Sequence, residues 1–248
     1  MSAPRILIPL TGEVYANTVR MDAGGPQVWE VSKLPPLAGA EEWLRAQPAS
    51  LAEVRQLLYA IPPRDSKAAS TLIPLDRYYR AGFDRAWSAG MTGNDLGPLP
   101  RGVQVFNSTA FDIRGLVLPD KAGRNVIQVG QACQRLRFLH NATGQGIKSG
   151  VRVGRYKIRY ADGQTAEVPL FTGRNIQDWW ADPASLDASG EAAVAWVGTN
   201  APSRKGNHTI HLLTLTWPNP RPAVPIQTVT LEQIGNVAEP FLVAVAAE

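Results

Sequence analysis

The sequence predicts an all-β protein, an antiparallel jelly-roll β-sandwich over residues 72–248 that follows a small mixed α/β segment at 1–70. Three observations favour this fold class. Glycine (22) and proline (20) are abundant in a chain of 248 residues, apolar runs are short with turn residues every eight to twelve positions, and no helical spacers separate the runs. The predicted strands are 72–79, 103–106, 111–118, 135–139, 153–160, 165–171, 192–197, 209–216, 226–234 and 241–246.

The N-terminal segment combines a β-hairpin with two helices. Alternating runs at 5–10, 13–21 and 27–32 predict strands, with the turn-rich stretch 22–26 between the last two. A helix follows at 37–47. A second helix starts at Ser50, whose side chain and that of Glu53 form a capping box. Its apolar face repeats at helical spacing through Leu51, Val54, Leu57, Leu58 and Ile61, and we expect this face to pack on a sheet.

Composition excludes several function classes. Hydrophobic residues (44%) and charged residues (19%) give a globular balance, so a disordered chain is not expected. One cysteine and three histidines leave no disulfide framework and no multi-ligand metal site, and we expect no cofactor. The net charge is +4, but the basic residues are scattered, so nucleic acid is not an expected partner. No apolar run is long enough to span a membrane.

Location is predicted only from the start of the chain. No signal-peptide core follows Met1. We therefore expect a cytoplasmic protein, or an extracytoplasmic one if Met1 is not the natural start.

One hairpin allows a prediction of register. Tyr156, Ile158 and Tyr160 share one face of a strand, while basic residues occupy the other face, which we expect to be solvated. Keeping apolar faces together predicts Tyr160 opposite Ala166 and Ile158 opposite Val168, with an odd-numbered loop centred on residue 163.

Short motifs then follow in a characteristic order. They are LGPLPRG at 96–102, FDIRG at 111–115, LRFLHNA at 136–142, GRY at 154–156, YADG at 160–163, NIQDWW at 175–180, AWVGTN at 195–200, TWPNP at 216–220 and PFL at 240–242. This order resembles an accessory β-sandwich of the galactose-binding-domain-like type. Such modules occur beside bacterial glycoside hydrolases and in bacterial surface or signalling proteins. The resemblance covers 72–248 and implies a non-catalytic accessory domain that belongs to a larger polypeptide or complex.

Catalytic patterns are weak. No nucleophile-elbow motif accompanies His140, His208 or His211, so a serine-based triad is not predicted. Asp162 is explained by its Asp-Gly turn, which argues against a glycosidase pair with Asp178. Asp112, Asp120 and Asp178 lie in no spaced acidic loop, so no calcium site is predicted.

An aromatic and amide cluster is the best candidate for function. Sugar recognition needs an apolar platform for the C–H face of a pyranose, with planar polar groups for its hydroxyls. Residues of both kinds follow the strand predicted to end at Phe171 or lie at another predicted strand end. The candidate ligand-binding residues are Arg174, Asn175, Asp178, Trp179, Trp180 and Asn200.

Three functions stay open. The first is a carbohydrate-binding module that recognises a glycan through these loop residues. The second is a protein-interaction or structural sandwich without a sugar ligand, in which both tryptophans pack in the core. The third is an unrecognised hydrolase, which no catalytic motif in the sequence supports.

Overall fold

The computed structural model describes the backbone of 4–7, 15–22 and 25–33, and then residues 59–87, 91–119, 125–144 and 147–248. The chain divides into two compact units, Met1–Ser50 and Leu51–Glu248. The sequence-based boundary between 70 and 72 stays a prediction. No helix among the described residues is long and apolar enough to cross a membrane.

The first unit contains a three-stranded antiparallel sheet. Its strands are β1 (Pro4–Leu7), β2 (Tyr15–Asp22) and β3 (Gly25–Lys33), in the order β1-β2-β3. Asp22 lies opposite Gly25 in the antiparallel β2–β3 pairing, so both strand ends fall within the predicted turn region 22–26. The helix predicted at 37–47 lies outside the described residues, and so do residues 50–58 of the helix predicted over 50–61. Of the predicted apolar face, Ile61 is described, and it is buried in the larger core.

The second unit is built from antiparallel strands. They are β4 (Gly102–Phe106), β5 (Thr109–Ile113), β6 (Val126–Gln131), β7 (Arg135–Thr143), β8 (Arg152–Tyr160), β9 (Thr165–Phe171), β10 (Ala192–Gly198), β11 (Ile210–Pro218), β12 (Ile226–Gln233) and β13 (Glu239–Ala247). They form sheets in the orders β10-β11-β7-β13 and β6-β12-β8-β9, and a β4-β5 hairpin. In the described part of 72–248 the longest α-helix is α1 (Ala201–Lys205). The all-β sandwich prediction is therefore confirmed.

The two four-stranded sheets pack face to face around the larger core. The β10-β11-β7-β13 sheet contributes Phe138, Leu215 and Val245. Tyr156 and Ile158 come from the opposite sheet. The Phe138 and Tyr156 rings stack with centroids 4.0 Å apart.

The other face of the β10-β11-β7-β13 sheet is also buried. Leu139, Leu212 and Val243 pack there against Phe111 of β5 and against Trp179. Both faces of this sheet are thus covered, which explains why β13 is a continuous apolar run rather than an alternating one.

One predicted strand does not form, and one observed strand was not predicted. The segment 72–79 is not a strand. Leu72 makes a single bridge to Ala246, Pro74 offers no amide proton, and the chain turns at 76–78. Its apolar side chains are buried by packing rather than by a ladder. Conversely, β6 was not predicted, because its run Val-Ile-Gln-Val-Gly-Gln is interrupted by polar residues and glycine.

The predicted β8–β9 register is also wrong, by two residues. Tyr156 lies opposite Val168 and Ile158 opposite Ala166. A shift of two keeps every side chain on its predicted face. The turn decides the register. Gly163, at φ 85°, donates its amide to the Tyr160 carbonyl at 3.0 Å, and Tyr160 donates to the Gln164 carbonyl at 2.9 Å. The loop is therefore 161–163, with glycine at its last position instead of its centre.

A buried ionic network holds the segment around residue 76 against β5. Arg114 is 1% exposed; its Nε lies 3.0 Å from the Asp112 carboxylate and its Nη2 lies 2.9 Å from that of Asp76. Asp112, which the sequence analysis considered as a calcium ligand, thus forms an ion pair with Arg114.

Candidate functional site

The segment after β9 lies between two strands that separate. β7 and β11 pair as far as His140 and Leu213. Beyond that point, residues 177–179 lie between them. The Ala142 amide donates to the Gln177 carbonyl, the Trp179 amide donates to the Ala142 carbonyl, and the His211 amide donates to the Trp179 carbonyl, each at 2.9 Å.

The Asn141 side chain fixes this insertion. Its Oδ1 accepts from the Gln177 amide at 2.8 Å, and its Nδ2 donates to the His211 carbonyl at 3.0 Å. Asn141 is fully buried. Asp178 is therefore placed by a bridge to Ala142 of β7, and Trp180 lies in the turn that follows.

A groove of about 520 Å³ opens beside this segment. Asp178 and Trp180, two of the residues that the sequence predicted, line it. The other lining residues are Ile147, Ser149, Thr172, Gly173, Gln177, Ala181, Ser185 and His208.

Asp178 is a partly buried carboxylate. Its Oδ1 accepts a hydrogen bond from the Trp180 amide at 3.2 Å. Burial raises the pKa of the Asp178 carboxyl to about 6. A carboxylate in this environment is more costly to ionise than one in water.

Trp180 is half-buried and oriented by its indole nitrogen. Nε1 donates to Asn94 Oδ1 at 3.1 Å, so one edge of the ring is fixed. The ring centroid lies 6.2 Å from that of His208, which is exposed. Trp180 thus presents an aromatic surface to the groove, with Asp178 two residues away.

Trp179 belongs to the core. It is 2% exposed, and its ring centroid lies 4.9 Å from that of Trp87 and 6.1 Å from that of Phe241. The two adjacent tryptophans therefore have different environments. They are the central residues of a turn that the Ala181 amide closes by donating to the Asp178 carbonyl at 2.8 Å.

The other three predicted residues do not line the groove. Asn175 is buried; it accepts from the Phe171 amide at 2.8 Å and donates to the Pro169 carbonyl at 3.1 Å. Arg174 forms an exposed ion pair with Glu191.

Asn200 is the N-cap of α1. It accepts from the Ser203 amide at 2.9 Å and donates to Asn94 Oδ1 at 2.9 Å. Its bonds, like those of Asn175, stabilise local structure.

Sequence reasoning missed several groove residues. Gln177 lies inside the NIQDWW motif, so its position between Asn175 and Asp178 was a usable signal. Ser185 ends a short 3-10 helix five residues after the motif, whereas Ser149 and His208 lie outside strands and more than twenty residues from it. Nothing in the local sequence connects Ser149 or His208 with Trp180.

Much of the polar groove wall is hydrogen-bonded internally. The Gln177 Oε1 lies 2.9 Å from His211 Nε2, and the Gln177 Nε2 donates to Ser185 Oγ at 3.1 Å. Ser185 Oγ in turn donates to the Asp182 carbonyl at 2.7 Å. Thr172 Oγ1 donates to the Lys148 carbonyl at 2.6 Å.

Two histidines are buried behind the site. Burial lowers the pKa of His140 to about 3 and that of His211 to about 4. Within the described part of the chain, His140 Nε2 and His211 Nδ1 have no hydrogen-bond partner. His211 contacts the groove wall through Gln177.

The described residues contain no group of three or more His, Cys, Asp or Glu that could hold a metal ion. Cys133 is buried, and burial raises the pKa of its thiol. Comparison with protein-family models, curated proteins and solved structures finds no match to this chain.

Proposed function

We propose that this chain is a non-catalytic carbohydrate-binding β-sandwich whose groove holds a sugar against Trp180. The observation that carries the proposal is the half-buried Trp180 beside Asp178 in one groove. The volume of about 520 Å³ falls in the usual range of small-ligand sites.

Trp180 would stack on the apolar face of a pyranose. Its ring is already oriented by the Asn94 hydrogen bond, so little side-chain entropy is lost on binding. Asp178 supplies an acceptor for a hydroxyl or another polar hydrogen at the edge of the stacked ring. An aromatic platform with a few placed polar groups is typical of sugar sites.

A binding role is favoured over glycoside hydrolysis. Most glycoside hydrolases use two carboxyl groups that flank the scissile bond. Asp178 is the one carboxylate among the described residues that line the groove.

A glycan array on the purified chain tests the proposal first, and three tryptophan variants then locate the site. We expect weak binding, roughly micromolar to millimolar, because a shallow groove buries little area. Trp180→Ala should abolish it. Trp217→Ala is the matched control, since Trp217 is partly buried on β11 but does not line the groove. Trp179→Ala should cost about 3–5 kcal/mol of stability, because a large buried ring is lost.

Binding is measured at a temperature at which each variant is folded. The proposal fails if no glycan binds the parent chain, or if Trp180→Ala binds as well as Trp217→Ala.

The alternative is a protein-interaction sandwich, and a different observation favours it. On β4, Val103 is 44% exposed and Val105 is 68% exposed. Among the described strands, β4 pairs with β5 alone. An exposed apolar strand with a free edge is a surface to which another chain can add. A parent chain that binds no glycan, together with a Val105→Lys variant that loses a protein partner, would support this second function.

A further inference from the structure

We infer that the groove selects an amino sugar with a free, protonated amine, and that Asp178 pairs with the ammonium group. This inference rests on the proposed function, because it names the class of sugar that the same groove would hold.

The first observation is that Asp178 lacks a positive partner. Its carboxylate accepts one hydrogen bond, from the Trp180 amide, and its second oxygen accepts none from the described residues. Elsewhere among the described residues, arginines pair with carboxylates that are buried or partly buried. Asp112 pairs with Arg114, Glu191 with Arg174, and Glu232 with Arg155.

The second observation concerns the rest of the groove wall. Gln177 uses both ends of its amide on His211 and Ser185, and Thr172 uses its hydroxyl on Lys148. These groups have less capacity left for a ligand. Asp178 therefore offers the strongest uncommitted acceptor among the described lining residues, and that acceptor is negatively charged above its pKa.

The third observation is the aromatic neighbour. Trp180 lines the same groove, and a cation next to an indole face is attracted to its π-electrons. A partly buried carboxylate gains more from a cation than from a neutral hydroxyl, because the cation offsets the cost of removing the charge from water. The raised pKa of Asp178 reflects that cost in the free protein.

The charges of the groove argue against acidic sugars. No lysine or arginine is among the described lining residues. The other titratable group is His208, which lies beside Trp180. An anionic sugar would face Asp178 without a fixed positive charge to hold it.

The experiment compares three β-1,4-linked tetramers of the same geometry: glucosamine, N-acetylglucosamine and glucose. At about pH 7 Asp178 is ionised and a large part of the glucosamine amines is protonated. Calorimetry on the parent chain should show the glucosamine tetramer binding about five- to tenfold more tightly, the difference between a charged and a neutral hydrogen bond.

Two variants assign the preference to Asp178. Asp178→Asn should remove most of the preference for the glucosamine tetramer, because the carboxylate charge is lost while the shape of the side chain and the Trp180 ring are kept. Asp65→Asn is the matched control, an exposed carboxylate outside the groove, and it should keep the preference. Melting temperatures confirm that both variants are folded.

The outcomes separate the inference from the function. Equal or tighter binding of the acetylated or the glucose tetramer overturns the inference and leaves a sugar-binding groove. An undiminished preference in Asp178→Asn also overturns it. In a further test, ethanolamine competes with the glucosamine tetramer at equal amine concentration. If ethanolamine displaces the tetramer, the amine alone is sufficient for binding, and the inference that the ligand is a sugar is overturned. No binding of any tetramer or arrayed glycan removes the proposed function and the inference with it.

Discussion

At the scale of single residues, Asp178 is a carboxylate that the fold partly buries while the described residues give it no positive partner. Such a group lowers stability when it is ionised. Residues of this kind are typical of binding sites, where the ligand supplies what the protein lacks.

We expect Asp178→Asn to stabilise the protein above pH 6. Burial raises the folded-state pKa to about 6 from an ordinary value of 3.8, so ionisation disfavours the fold as pH rises through this window. After a discount for solvent screening, the gain in unfolding free energy at about pH 8 is about 1–2 kcal/mol. Urea denaturation at about pH 8 and about pH 3.5 measures it.

At the lower pH the gain should disappear, because both states carry a neutral carboxyl group. Asp187→Asn is the control and should show no gain in stability at about pH 8. Hydrogen bonds from Ser189 lower the pKa of that exposed carboxyl, so its ionised form is favoured in the folded protein. A variant at 178 that is less stable than the parent at about pH 8 would contradict the prediction.

The buried histidines have the opposite pH dependence. The folded-state pKa values of about 3 for His140 and about 4 for His211 lie below the ordinary 6.5, so the unfolded chain binds more protons in between. Stability is full above about pH 6.5 and falls as pH decreases, by up to about 1.4 kcal/mol per pH unit for each histidine.

His211→Gln tests this dependence. It should remove about 2 kcal/mol of the stability loss between pH 6.5 and about pH 5, because one of the two buried sites no longer titrates. His208→Gln, at an exposed position, is the matched control. If the unfolding free energy of His211→Gln falls with decreasing pH as steeply as that of the parent, the burial of His211 does not cause the loss of stability.

At the scale of elements, the β8–β9 hairpin shows how a turn selects a register. Alternation of apolar and basic residues along 153–160 fixes which face is buried, but any shift by two residues satisfies that pattern. Gly163 at φ 85° closes the three-residue loop and thereby selects one of these registers.

Gly163→Ala should lower the unfolding free energy by about 1 kcal/mol. A Cβ at this position would meet no atom of a more distant residue within 4 Å, so the cost comes from the left-handed backbone alone. Gly163→Asn should cost less, because asparagine tolerates this conformation better than alanine. Thermal unfolding of both variants checks the order, and a reversed order would mean that the loop changes its conformation.

At the scale of the larger unit, the β10-β11-β7-β13 sheet is buried on both faces. Its inner strands β7 and β11 each pair with two neighbours, whereas β10 and β13 lie at its edges. Stability is therefore expected to be highest at β7 and β11 and lower at β4, which carries the exposed Val103 and Val105.

Hydrogen exchange of the native protein should follow this layering. Amides of β7 and β11 should exchange most slowly, since they open only when most of the unit unfolds. Amides of β4, which pairs on one side with β5 among the described strands, should exchange several orders of magnitude faster. Equal protection of β4 and β7 would contradict the layered arrangement of stability.

The sequence by itself predicted the all-β class, most strand positions and the buried face of β8, because these depend on local alternation and on turn residues. It also placed Asp178 and Trp180 together, since both lie in one short segment after a strand. The same local signal included Asn175, because an amide near tryptophan suggests a sugar contact. The sequence does not show that the Asn175 side chain forms its hydrogen bonds with the backbone of the protein.

Only the tertiary structure decided which polar groups were left for a ligand. Asn200 bonds to Asn94, more than a hundred residues earlier in the chain, and so stabilises a loop. His208 reaches Trp180 from a different turn. The partners of a polar side chain depend on contacts between distant segments, and local sequence carries little information about them. The separation of β7 and β11, which brings Asp178 to the groove, also depends on contacts between distant segments. It arises where residues 177–179 insert between the two strands.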